Sequence, residues 1–176
     1  MPAGKYVLAL DAGTSGAHAA VCTFDGSLRA AATVPWRYTS PRGLGLGARS
    51  FAPNRFWRAL GQAARRALKA ADVSPGEVAA VAVTGQRQGI VALDGDGREV
   101  FASPNLDARA FLQDAALDER RHAQVYGTTG HLPAFLLAPL KLLWLREHAP
   151  KRLARVKYVL PMDGWVLARA AGCFVA

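Results

Sequence analysis

Cysteine is nearly absent: Cys22 and Cys173 are the two in 176 residues. So far apart, they match neither a metal-ligand spacing nor a redox pair. A disulfide framework is excluded, and a reducing cytoplasm is the expected compartment. Acidic side chains are also scarce, 13 against 22 basic ones, giving a formal net charge of +9. Long apolar runs are lacking. No stretch approaches the ~20 uncharged residues of a spanning helix, so a membrane is not an expected partner. Met1 to Leu10 is apolar but runs straight into Asp11-Ala12-Gly13, which reads as a first strand and not as a signal peptide. What the chain has in abundance is alanine, 35 residues of the 176, so its apolar content is ordinary in large core side chains. That balance excludes disorder. The positive excess attracts polyanions. The basic residues are nevertheless scattered and carry no interleaved aromatics, so nucleic acid is not an expected partner.

The order of patterns is βββ-α-β-ββ-α-α-β-α. Strands are expected over Lys5–Leu10, Ala17–Phe24 and Ser27–Pro35, with Asp25-Gly26 as the hairpin turn. Residues 40–53 form a loop. Phe56, Trp57, Leu60, Ala64, Ala67, Leu68 and Ala71 recur at three and four, the face of a helix, with Asn54 as its expected N-cap. Val78–Thr84 is a continuous apolar run, as for a strand buried on both faces. Asp94-Gly95-Asp96-Gly97 joins Ile90–Leu93 to Glu99–Ala102 as a hairpin. Helices are expected over Ala108–Val125, Pro139–His148 and Asp163–Ala171, the last stopped by Gly172, with a short strand at Lys157–Leu160. The whole is an α/β fold: a mixed sheet with three antiparallel strands first, flanked by helices. Cys173 onward reads as the start of another strand, so the chain is expected to be part of a longer architecture. The four tryptophans are read as core or interface packing, and His122, His131 and His148 as loop or surface residues without ligand spacing.

Two segments carry chemistry. In Asp11-Ala12-Gly13-Thr14-Ser15-Gly16-Ala17-His18 a carboxylate closes a strand and a Gly/Thr/Ser/Gly turn follows. Glycines admit an anion close to the backbone, and successive N–H groups and hydroxyls donate to it. A carboxylate there suits Mg²⁺, which takes few protein ligands and keeps its waters. The octet is neither a Walker A loop nor a dinucleotide fingerprint, and an ordinary turn would use the same residues. The second segment is Gly85-Gln86-Arg87-Gln88-Gly89, which follows a strand.

These segments, in this order, resemble the N-terminal half of the FGGY carbohydrate kinases. Gly47–Pro53 with Phe56-Trp57, Asn105-Leu106-Asp107-Ala108-Arg109-Ala110, Thr129-Gly130, Lys141-Leu142-Leu143-Trp144-Leu145 and Leu160-Pro161-Met162-Asp163 also match the family in order and spacing. Within the family, the autoinducer-2 kinase subgroup is most similar, with pentulose (xylulose) kinases next. The resemblance implies an actin-like, ribonuclease-H-like ATPase fold, incomplete here. It implies ATP and Mg²⁺ as cofactors and transfer of the γ-phosphoryl group to a sugar or polyol hydroxyl. Asp11 would organise the metal, with Gly13, Thr14, Ser15 and His18 at the phosphates. Gln86, Arg87, Gln88, Asn105, Asp107 and Arg109 would contact the substrate. Residues 1–176 would form the sugar-binding domain. The catalytic base and the ATP-binding domain would lie beyond residue 176, leaving no catalytic residue in this chain and turnover lost in isolation. A non-catalytic carbohydrate-binding module is the alternative.

Several positions depart from the family pattern. His18 stands where Arg or Lys is usual, Gln88 where glycerol kinases have Glu, Asn105 where they place an aromatic, and Leu136 where they have a substrate-contacting Tyr. Glycerol is therefore not the expected substrate. Apolar faces meant for missing elements should be exposed, so homo-oligomerisation or a partner domain is expected.

Overall fold

The structure, a computed structural model, describes residues 5–44 and 47–172. The strand expected from Cys173 lies outside the described residues. The chain divides into two compact units. The first comprises residues 1–37, 51–87 and 160–176, and the second residues 38–50 and 88–159.

The first unit is built on a four-stranded sheet of order β3-β2-β1-β4. β1 (Tyr6–Ala12), β2 (Gly16–Thr23) and β3 (Leu28–Pro35) form an antiparallel meander, and β4 (Val78–Gly85) lies parallel to β1. Alternation decides which side is core. Leu8, Leu10 and Ala12 of β1 stand opposite Val21, Ala19 and Ala17 of β2, and all six are buried. Helix α1 (Pro53–Ala71) packs on β2 and β3 and buries Phe56, Leu60, Ala63 and Ala67. Helix α6 (Met162–Ala171) packs on β4 and β1 and buries Met162, Trp165 and Val166. A ladder of rings closes this core: Trp36 stacks on Phe56 at 3.8 Å, Phe56 on Phe51 at 4.3 Å, and Phe51 meets the edge of Trp165 at 6.4 Å.

Two expectations for this unit need correction. Asn54 is not the N-cap of α1. Pro53 takes the first helical position, where its fixed φ and missing N–H cost nothing, and Ala52 is the cap. The Asn54 side chain instead accepts a hydrogen bond from Arg169 at 2.9 Å. Nor is β4 buried on both faces. It is the edge of its sheet among the described residues, and Ala80, Val81 and Ala82 are exposed. The outward side of α1 is lined by Arg55, Arg58, Arg65, Arg66 and Lys69 with no acid between them, which is where much of the positive excess resides.

The second unit holds a separate sheet of order β6-β5-β7, not expected from the sequence. β5 (Ile90–Leu93) and β6 (Glu99–Ser103) form the hairpin around Asp94–Gly97, and β7 (Tyr158–Pro161) adds at the β5 side. The helix expected over Ala108–Val125 is broken into α2 (Phe111–Ala115) and α3 (Glu119–Thr129). The reason is Asp118, whose carboxylate accepts the Arg121 amide at 2.8 Å and starts a new helix. Helix α4 (Ala138–His148) begins one residue before Pro139 and is followed by the short α5 (Pro150–Leu153). Ile90, Ala92, Phe101, Ala110, Leu140, Trp144 and Leu145 form the apolar core. Gly172 ends α6 in the left-handed region at φ 69°, as the pattern predicts. Of the tryptophans, Trp144 and Trp165 are buried, while Trp36 and Trp57 are partly exposed.

Candidate functional site

In the first unit the turn after β1 is fixed from three sides. The Gly13 amide donates to the Gly16 carbonyl at 3.1 Å. Trp36 holds the two residues between: its backbone amide donates to the Ser15 carbonyl and its indole N–H to the Thr14 carbonyl, both at 3.2 Å. Because the peptide unit is planar and trans, fixing the Thr14 carbonyl on Trp36 turns the Ser15 amide the other way. Ser15 is exposed, and Thr14 and Gly13 are half-buried. Trp36 is a residue that reading the octet alone misses. Its signal was a lone aromatic directly after β3.

The face of the sheet opposite the core carries a polar row. In register across the strands stand Thr33, His18, Asp11 and Thr84. Residues in register share a face, so these four side chains lie side by side. The His18 ring meets Thr33 through Nδ1 at 3.0 Å from the hydroxyl. A Cβ added to Gly13 would lie 3.3 Å from Asp11 Oδ2, 3.3 Å from His18 Cδ2 and 3.2 Å from the Gly16 carbonyl oxygen. Gly13 thus leaves a hollow bordered by a carboxylate and an imidazole. Gln86 belongs to the same neighbourhood. Its backbone amide donates to the Ala12 carbonyl at 2.9 Å and its side-chain amide to the Gly13 carbonyl at 3.3 Å. Asp11, Gly13, Thr14, Ser15, His18 and Gln86 are therefore assembled at one end of one sheet. Arg87 is exposed.

In the second unit two of the predicted residues, Asp107 and Arg109, fall on a buried polar cluster. Asp107 is fully buried. Its Oδ1 accepts from the Arg49 and Arg109 amides at 2.9 and 3.3 Å, and its Oδ2 accepts from Ser103 Oγ at 2.5 Å and Arg109 Nε at 2.6 Å. Arg109 lies between the Phe101 and Trp144 rings at 5.0 and 4.9 Å and donates to the Arg49 carbonyl and Ser50 Oγ. The pair fastens the 47–50 loop to the segment after β6, where the Ala108 amide also donates to the Gly47 carbonyl. Asn105 is half-buried, and the Gln88 side chain is exposed on a backbone of φ 66°. Lys141 is not among the expected site residues. It is fully buried, and its ammonium donates to the Gln88 and Pro104 carbonyls at 2.8 and 2.9 Å. Desolvation, opposed by Asp107 and helped by Arg109, pushes its pKa down to about 8. Its signal was a single cation on the face of α4 that also carries Leu140, Trp144 and Leu145.

Residues 6–176 match the family described as the FGGY family of carbohydrate kinases, N-terminal domain. The chain belongs to the FGGY family. It is 32% identical over 172 residues to the autoinducer-2 kinase of Klebsiella pneumoniae subsp. pneumoniae, covering 96% of this chain and 32% of that protein. An autoinducer-2 kinase from Enterobacter sp. is 30% identical with the same coverage. Among solved structures, a ligand-bound xylulose kinase from Lactobacillus acidophilus superimposes with a TM-score of 0.82 at 17% identity, over 93% of this chain and 33% of that one. The FGGY chain described here thus has the actin-like fold and spans about a third of the length of the curated relatives it matches.

Proposed function

We propose that this chain is the acceptor-binding part of an ATP-dependent kinase that phosphorylates a sugar or polyol hydroxyl in the cytoplasm. One observation carries the reading. Gln86 donates to the Ala12 and Gly13 carbonyls, so the first residue of the segment that resembles a sugar contact is fixed on the turn that resembles a phosphate cradle. The residues fit a metal–phosphate group. Gly13 leaves space beside the Asp11 carboxylate that a Cβ would fill. A lone carboxylate beside that space suits Mg²⁺, which takes few protein ligands and keeps its waters. Bound there, Mg²⁺ would neutralise charge on the phosphoryl group being transferred.

The chain's own residues do the rest. Thr14 and Ser15 supply hydroxyl donors on a turn that Trp36 keeps from moving. His18, held by Thr33, borders the hollow on the side away from β4. Gln86 and Arg87 in the first unit, and Gln88 and Asn105 in the second, carry amide and guanidinium groups of the kind that hydrogen-bond a polyhydroxylated acceptor, while Asp107 and Arg109 hold the loops of the second unit. The remaining parts of the complete enzyme supply the base and the adenosine site, so the isolated chain is expected to release no ADP.

Titration calorimetry of the isolated chain tests this with D-xylulose, polyols and autoinducer-2. Heat with a pentulose or autoinducer-2, and none with glycerol, is the expected result. Absence of heat with every acceptor in a folded sample overturns the proposal. Asp11→Asn should abolish the Mg²⁺ dependence of triphosphate binding and leave the acceptor heat unchanged.

A further inference from the structure

A buried ammonium is costly unless its hydrogen bonds are all well placed. Lys141 bears that cost in the second unit at a place of interest. Both acceptors are main-chain carbonyls, Gln88 at 2.8 Å and Pro104 at 2.9 Å. The first lies in the turn between β4 and β5. The second lies in the segment between β6 and α2, next to Asn105. These are the two segments to which the proposed acceptor contacts were assigned, and one side chain joins them.

The Gln88 backbone adds a second observation. Its φ of 66° is in the left-handed region, which non-glycine residues avoid unless surroundings enforce it. The Lys141 bond to the Gln88 carbonyl is such an enforcement, since it fixes the orientation of the peptide that follows Gln88. Lys141 in turn cannot drift. It sits on α4 between Leu140 and the Trp144 and Leu145 side chains, all buried. The neighbouring charges are already committed elsewhere: Asp107 takes Ser103, Arg49 and Arg109, and Arg109 takes Asp107, Arg49 and Ser50.

We infer that Lys141 is a positioning residue that sets the spacing between the Gln88 turn and the Pro104–Asn105 segment, and thereby the affinity for the polyhydroxylated acceptor. The inference rests on the proposed acceptor site, and its test separates the two. Amide hydrogen exchange of the whole chain is compared for wild type, Lys141→Met and Lys141→Gln, the last able to donate to one carbonyl. Exchange at residues 87–90 and 105–106 should rise at least tenfold in Lys141→Met and less in Lys141→Gln, with the β1–β2 hairpin unchanged. D-Xylulose affinity should fall about tenfold in Lys141→Met. Gln88→Gly, which removes the left-handed strain, should restore protection of the turn in the Lys141→Met background. Should Lys141→Met not fold, Lys141→Gln and Gln88→Gly carry the comparison. Unchanged exchange at both segments overturns the inference, as does raised exchange with unaltered D-xylulose affinity. If wild type binds no D-xylulose, the acceptor site fails, and the exchange data alone decide whether Lys141 sets the two segments.

Discussion

The first unit has a dry core and the second a wired one. Under the β1–β4 sheet the buried side chains are aliphatic or aromatic, with Gln86 the buried polar one at the sheet end, and the ring ladder runs from Trp36 of the β3 end through Phe56 of α1 to Trp165 of α6. In the second unit an ion pair, a serine and an ammonium are threaded through the apolar cluster. An apolar core tolerates imprecise partners and loses stability in proportion to the volume removed. A polar core is satisfied only when every member is in place. The second unit therefore fixes loop positions, not merely element positions, and its loops are the 47–50 stretch, the Gln88 turn and the Asn105–Asp107 segment.

Substitutions can sharpen that contrast. Phe56→Ala removes the central ring of the ladder and should cost about 3–5 kcal/mol in urea denaturation. A loss below about 1 kcal/mol would mean that the ladder is not the core. Asp107→Asn keeps the volume but strands the Arg109 guanidinium, at a cost of about 3–4 kcal/mol. Adding Arg109→Met should return part of that loss, which no second deletion in the apolar core would do. Strictly additive losses would refute the view of a coupled network.

Lys141 makes the contrast pH-dependent. Its folded pKa of about 8 lies below the ordinary lysine value. The unfolded chain therefore holds an extra proton between the two. By linkage, stability from this group rises with pH through that window and is lowest below about pH 8. Urea denaturation at pH 8 and pH 10 should show a gain of roughly 2 kcal/mol, superimposed on the rest of the chain, and Lys141→Met should lack it. Trp36→Phe is the smallest change. It keeps the stacking on Phe56 and removes one hydrogen bond to Thr14, so a loss of about 1 kcal/mol is expected, together with faster amide exchange confined to residues 13–16.

The two units also differ in how much of them the sequence reveals. The strands of the first unit and the face of α1 follow from periods of two and 3.6, because an apolar core needs nothing more than pattern. Its errors are local: a proline outcompeted Asn54 for the helix start, and β4 reads as buried because composition does not say what covers a strand. The second unit is less legible. Asp118 divides a helix whose charge pattern runs on unbroken. The β5–β6 hairpin is visible in Asp94–Gly97, but the addition of β7 beside β5 joins segments far apart in sequence. Asp107 and Arg109 stand out through family resemblance as acceptor contacts, yet each spends its polar atoms on loops and neighbouring side chains. Lys141 stands inside an apolar helix, where a period analysis counts it as noise. The Asp11–Ser15 turn lies between these cases. Its glycines and hydroxyls are visible in the octet, whereas the register that lines up Thr33, His18, Asp11 and Thr84 emerges only once the strands are paired.

The rim formed by β4 has a practical corollary. Among the described residues no strand pairs with the outer side of the alanine- and valine-bearing β4, and no proline or lysine interrupts Val78–Gly85 to discourage a visitor. In concentrated samples the strand is a template on which a neighbour's backbone can zip, so turbidity should grow with protein concentration, and a lysine written into the middle of β4 should clear it.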